Sequence, residues 1–222
     1  MKNISLLFEN DECIILNKPA GLPVQGGEKV EASVDRILST ERSPRPLLVH
    51  RLDKDTSGLI LVAKNREAAA RFSALFSQER TNQGITKLYL AVCAGRPNPP
   101  AGIIREELSG KRGMKKAVTS YRLLNGGERF SFLELELGTG RTHQLRRHLS
   151  RLGNPILGDD KYGNFALNKE LRKTLGLKRL LLHSARLIIS ASLLGYPLDI
   201  SAPLPDYFQI FDEKLIFVPH VL

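Results

Sequence analysis

The sequence predicts an α+β domain built on a largely antiparallel or mixed sheet with flanking helices. Two observations carry this. Strand-length apolar or alternating runs, bounded by Pro, Gly, Asn and Asp, outnumber helical patterns. Hydrophobic residues at 42% and charged residues at 25% of 222 give enough material for a sizeable core and exclude a disordered or fibrous chain.

The elements follow in order. Residues 4–8 and 12–17 read as a hairpin around Glu9-Asn10-Asp11, closed by Lys18-Pro19-Ala20-Gly21, where proline stops ladder pairing. Residues 32–38 fit a short helix. Residues 47–49 form a strand delivering the chain to His50, and the unbroken apolar run 59–64 reads as a central strand. Residues 66–76 suit a helix, with Ala69, Phe72, Leu75 and Phe76 at helical spacing. Residues 86–92 return to a strand. Proline-rich 96–100 reads as a connection between two halves of one catalytic domain spanning 1–222. Strands are expected at 102–108 and 117–123, flanking a basic loop at 110–116. Residues 130–137 alternate, which predicts one solvated face. A helix is expected from Thr142, as N-cap, to Gly153, and another at 169–175. Residues 180–189 form a strand, and the tail ends in a short helical turn.

Composition narrows the function. Thirty-three Lys and Arg against twenty-three Asp and Glu leave a formal charge of +10, which favours a polyanionic partner such as a nucleic acid. Aromatics at 6% and no Trp exclude a broad stacking platform. Cys13 and Cys93 sit in apolar runs, as buried small hydrophobes do, and predict neither a disulfide nor a metal site. No phosphate-binding Gly loop occurs, and no apolar run reaches membrane-span length. His143 and His148, five apart, fall on different sides of a helix, so metal is rejected.

Three clusters could carry chemistry. His50-Arg51-Leu52-Asp53-Lys54-Asp55-Thr56-Ser57-Gly58 lies between two strands; taken alone it reads first as a capped turn, and it also fits a nucleophilic carboxylate kept ionised by neighbouring cations. In the segment 138–149, Leu145 and Leu149 pack inward and Arg146 adjoins them, so its guanidinium needs an anionic partner. Lys87 and Tyr89 point to the same face of a strand, and a tyrosine facing a cleft can stack on a flat ring.

HRLDKDTSG at 50–58 resembles the signature loop of the RluA-type RNA pseudouridine synthases. NKPAG at 17–21 resembles their N-terminal motif, and GRTHQLRRHL followed by GNPILGDDKYG, ending at Gly163, resembles a third; KLY around Tyr89 and LLHS at 181–184 occur in the expected order. The resemblance implies the pseudouridine synthase catalytic fold with a central cleft, and isomerisation of uridine in RNA without cofactor or metal. It implies Asp53, not Asp55, as the catalytic aspartate. Arg146 is then its basic partner, with Arg141 as alternative, and Tyr89 packs on the flipped uracil. Arg51 moves into the stack as the base leaves, and Leu145 lines the base pocket. Asp53 acts either as nucleophile at C1′ or as base at the C2′ proton.

His50, Lys87, Lys111, Arg112, Lys115, Lys116 and Arg147 complete the expected substrate-binding set, with the run 111–116 as an RNA-clasping loop. NKPAG arrives by residue 17, so no small RNA-binding domain is expected before it. Ribosomal RNA is favoured over tRNA as substrate. A cytoplasmic monomer without obligate protein partner is expected. The rival readings are an inactive RNA-binding or ribosome-assembly protein, and a nuclease using Asp53 and Asp55 with divalent ions.

Overall fold

The computed structural model describes residues 4–27, 31–77, 84–110 and 113–211. Its elements are β1 (Ser5–Glu9), β2 (Cys13–Lys18), α1 (Val34–Glu41), β3 (Leu47–Leu48), β4 (Ser57–Ala63), α2 (Arg66–Ser77), β5 (Ile85–Ala94), β6 (Ala101–Gly110), β7 (Gly113–Gly126), β8 (Phe130–Leu137), α3 (Gln144–Arg151), α4 (Phe165–Thr174), β9 (Leu182–Ile189), α5 (Ala191–Leu194) and β10 (Leu198–Ser201), with a closing 3-10 turn at Asp206–Phe211. The fold is the expected α+β class. No helix among the described residues is long and apolar enough to cross a membrane.

One sheet runs in the order β1-β2-β4-β9-β5-β8-β7-β6, with β3 on β4 and β10 on β9. Every pairing between its strands is antiparallel except β4 with β9. Strand β4 is buried throughout because both faces are covered, which explains why its sequence does not alternate. Ile60 and Val62 join one core with Val34 and Leu38 of α1, Leu145 and Leu149 of α3, and Leu171 of α4. Leu59, Leu61 and Ala63 join a second core with Ala68 and Phe72 of α2.

The parallel contact between β4 and β9 is only two residues long, Ser57 opposite His183 and Gly58 opposite Ser184. The backbones approach so closely that a Cβ on Gly58, at φ +103°, would lie 2.1 Å from the Ser184 carbonyl oxygen. Only glycine fits there. The polar loop 50–56 therefore feeds into the narrowest joint of the sheet.

Lys18 closes the same region from below. It is fully buried, and its Nζ donates to the carbonyls of Pro19 (2.9 Å), Leu22 (2.8 Å) and Lys54 (3.0 Å). Burial pulls its pKa down to about 8 against the opposing pull of Asp55 and Asp53. Gly21 N–H also donates to the Lys54 carbonyl. The KPAG turn is thus stapled to the polar loop, a long-range role beyond the turn read from sequence.

Three expectations change. Helix α3 begins at Gln144 with His143, not Thr142, as its N-cap residue, because the preceding loop is held by side-chain hydrogen bonds instead of a threonine cap. The described part of the basic run is strand: β6 and β7 pair continuously out to Gly110 and Gly113, so Lys115 and Lys116 are exposed strand residues. In β8 both faces are covered over the first half, where Phe130, Ser131, Phe132 and Leu133 are all buried.

Replacing Lys18 with Met should strip the side-chain donor from the Pro19, Leu22 and Lys54 carbonyls, leaving the Lys54 carbonyl only the Gly21 N–H, and cost about 3 kcal/mol. Urea denaturation of Lys18→Met checks this; a loss under about 1 kcal/mol would show that water reaches those carbonyls.

Candidate active site

The loop after β3 presents Arg51 and Asp53 while Leu52 between them is buried and anchors it. Thr56 N–H donates to the Asp53 carbonyl (3.2 Å), closing a turn that aims the acid out of the sheet. Facing it is the loop between β8 and α3. Gln144, buried, governs that loop: its Oε1 accepts from Thr139 Oγ1 (2.6 Å) and Arg141 N–H (3.1 Å), and its Nε2 donates to the Val118 carbonyl (2.9 Å) and Thr119 Oγ1 (3.0 Å). All four of its hydrogen-bonding positions are filled.

This bracing holds His143 at φ 53°, the one positive-φ residue other than glycine among the described residues. Such a backbone costs about 1–3 kcal/mol and persists only where surroundings enforce it. It sets His143 Nε2 3.8 Å from Asp53 Oδ1 and Nδ1 3.2 Å from the Tyr162 hydroxyl. Burial lowers the imidazole pKa, with Arg146 and Lys161 adding to this and Asp53 and Asp159 opposing it.

Arg146 projects from α3 into the cleft floor. Its Nε and Nη2 donate to the two oxygens of buried Asp159, both at 2.7 Å, in a bidentate fork. Nη2 also reaches Asp160 at 3.1 Å, and Nη1 stands 3.6 Å from Asp53 Oδ2. Burial alone would make the guanidinium easier to deprotonate, but Asp159 reverses that and raises its pKa. Burial likewise pushes the Asp159 carboxyl up, yet the Arg146 fork and the N–H groups of Tyr162 and Lys161 hold it below its ordinary value.

Together these groups line a cleft of about 170 Å³ walled by Arg51, Asp53, Tyr89, Arg141, Leu145 and Arg146, among others. Tyr89 is 5% exposed and burial raises its pKa, so it enters as a neutral phenol. Among the described residues no cluster of three or more His, Cys, Asp or Glu could hold a metal ion.

Of the other expected residues, Arg141 lines the cleft, while His50, Lys87 and Arg147 are placed elsewhere. His50 does not reach Asp53; its Nε2 accepts the Leu61 N–H (2.8 Å), continuing the β3–β4 ladder where β3 stops. Lys87 lines an adjoining cavity with Tyr89, not the Asp53 cleft. Arg147 is turned to the hairpin and donates to the Ser109 carbonyl (3.0 Å) and Oγ (3.1 Å), which tethers β6 to α3. Arg141 Nε donates to the Lys116 carbonyl. Lys111 and Arg112 lie outside the described residues. Sequence reasoning missed Asp159, Tyr162 and the placement of His143. The requirement of Arg146 for an anion was legible, and the DDKY of the same motif was the place to seek it.

Fold and cleft define a class: a mixed-sheet α+β enzyme centred on one carboxylate that an arginine faces. Residues 12–151 match the family model described as RNA pseudouridylate synthase. The chain is 38% identical over 218 residues to ribosomal large subunit pseudouridine synthase C of Rickettsia typhi, covering 91% of this chain and 69% of that one. It is 36% identical over 231 residues to ribosomal large subunit pseudouridine synthase D of Borreliella burgdorferi, covering 94% and 67%. In structure it resembles human RNA pseudouridylate synthase domain containing 4, with a TM-score of 0.80, 29% identity, and coverage of 97% of this chain and 94% of that one. The chain belongs to the RNA pseudouridylate synthase family, and its activity is the isomerisation of uridine in RNA to pseudouridine.

Because the folded pKa of Asp159 lies below its unfolded value, its stabilisation is complete above the unfolded value and is lost as pH falls through the folded one. Asp159→Asn should therefore cost about 3–5 kcal/mol at pH 7. The gap from the parent should narrow once pH drops below the ordinary carboxylate pKa of about 3.9. Urea melts at both pH values test it, and a pH-independent gap would place the cost outside the ion pair.

Proposed function

We propose that the enzyme isomerises a uridine in large-subunit ribosomal RNA, with Asp53 as the catalytic carboxylate, Arg146 as its counter-charge and Tyr89 as the ring against which the uracil rests. The observation that carries this is the convergence of the three on one cleft, with Asp53 and Arg146 3.6 Å apart, from segments 93 residues distant in sequence. Ribosomal RNA is supported by the names of the relatives, which act on the large subunit; tRNA is the second candidate.

The reaction breaks N1–C1′ and joins C5 to C1′; C5 loses its proton and N1 gains one, so nothing is oxidised and no cofactor is required. Asp53 either attacks C1′ or takes the C2′ proton, and both routes use the carboxylate in its ionised form. A paired uridine must first leave its stack, at a cost of a few kcal/mol. Arg51, exposed at the cleft mouth, fills the vacancy it leaves. Leu145 and Tyr89 give the flipped ring apolar walls. The exposed Lys115 and Lys116 on β7 contact RNA phosphates. The reading takes the chain as one catalytic domain, as the continuous strand order supports, working as a monomer in the cytoplasm. Buried, unpaired Cys13 and Cys93 support a reducing compartment.

Tritium release from [5-³H]uridine-labelled ribosomal RNA, run beside bulk tRNA in EDTA, tests the reading. Release from ribosomal RNA that Asp53→Asn lowers by at least about 10⁴-fold is expected, since removing a group that forms the reacting bond costs on that order. Release from tRNA alone would reassign the substrate, and full activity in Asp53→Asn would remove Asp53 from the chemistry.

A further inference from the structure

We infer that a second cavity, sharing a wall with the Asp53 cleft, is a phosphate subsite that holds a backbone phosphate flanking the target uridine through Lys87, His50 Nδ1 and Ser73. The inference rests on the proposed RNA substrate and adds a site to it. The cavity has a volume of about 200 Å³, and Arg51, Tyr89, Leu137 and Gly140 line both spaces. A nucleotide whose base lies in the first space runs its sugar-phosphate past that shared wall.

The second cavity is lined by donors. Lys87 is half-buried, with its ammonium 5.1 Å from the centroid of the Phe76 ring, and no carboxylate or hydrogen-bond acceptor contacts it among the described residues. An ammonium withdrawn from water without a counter-ion is costly, and burial lowers its pKa accordingly. An anion in the cavity removes that cost.

His50 adds a donor whose identity is fixed by geometry. Its Nε2 accepts the Leu61 N–H, so in the neutral ring the proton resides on Nδ1. Burial, with Lys87 nearby, brings its pKa down to about 3 and keeps it neutral. The ring stacks on Phe76, centroids 4.1 Å apart and 19° from parallel, which fixes its orientation. No described residue hydrogen-bonds its Nδ1. Ser73, exposed on α2, adds a hydroxyl to the lining. A cation, an N–H and an O–H with no carboxylate among the lining residues match the acceptor-only surface of a phosphate diester.

The test is RNA binding as a function of salt, with a ribosomal RNA fragment and Lys87→Met, plus Lys87→Arg as the conservative variant. Loss of one phosphate contact should lower the slope of log K against log salt by about 0.7–0.9, and Lys87→Arg should restore it. In parallel, single neutral methylphosphonate linkages are placed within two positions of the target uridine, located by tritium release from fragments labelled at one uridine each. One of them should weaken wild-type binding several-fold and leave binding by Lys87→Met unchanged. A wild-type slope in Lys87→Met, or no methylphosphonate that weakens the wild type, overturns the subsite. Binding without tritium release would instead overturn the proposed reaction, while the slope still decides the subsite.

Discussion

The guanidinium of Arg146 is 6% exposed and is surrounded by more carboxylate than it can neutralise. Its fork is taken by Asp159, whose Oδ1 also accepts from the N–H groups of Lys161 and Tyr162. Only the Nη1 edge is left for Asp53, at a distance too long for a hydrogen bond. The division has a consequence. A tightly paired acid is a poor nucleophile or base, because its lone pairs are already engaged. Asp53 is compensated in charge but its oxygens stay open to the cleft, while Asp159 bears the burial of the cation. Removing Asp159 would drive Arg146 onto Asp53 and close the very oxygens the chemistry uses.

That pair in turn needs its two backbones fixed. Gln144 pins the start of α3 to β7, and the Gly58–Ser184 contact sets where the Asp53 loop enters the sheet. The sheet is joined there by two residue pairs, so the side carrying β1 to β4 and the side carrying β5 to β9 meet at a line, not along a broad ladder. A cleft forms where the loops of both sides converge over that line. Lys18 compensates for the shortness of the joint by tying three carbonyls together beneath it.

Much of this was legible in the sequence and some was not, for physical reasons. The strand β4 announced itself as an unbroken apolar run because burial on both faces leaves no alternation. Asp53, Arg146 and Tyr89 were legible through their motifs and do converge on one cleft. The conformation of His143 was not, since nothing local forces a histidine into the left-handed region; a glutamine bonded to residues 25 and 26 positions away does. His50 and Arg147 sit in motifs rich in site residues yet turn to the backbone of β4 and to Ser109. Each satisfies a distant partner that pattern reading cannot see. The reading of Lys115 and Lys116 as loop residues failed for a different reason: Gly113 to Lys116 are exposed on both faces, so that stretch carries no alternation to mark it as strand, although β6 opposite alternates in exposure.

The charge excess that first pointed to nucleic acid is distributed in a way that composition hides. Arg42, Arg71, Arg122, Arg129, Arg151 and Arg186 each face a carboxylate on the surface. Exposed pairs of this kind are worth about 0–1 kcal/mol, so they neither stabilise the fold much nor resist exchange with a phosphate. Lys87, Lys115 and Lys116 are different, because no ion pair engages them among the described residues. Lys87 lines the cavity beside the cleft, and Lys115 and Lys116 are exposed on the β6–β7 hairpin. On the proposed function, positioning of the RNA falls to these unpaired lysines together with Arg51 at the cleft mouth, while the paired arginines form a reserve that a large folded RNA can recruit.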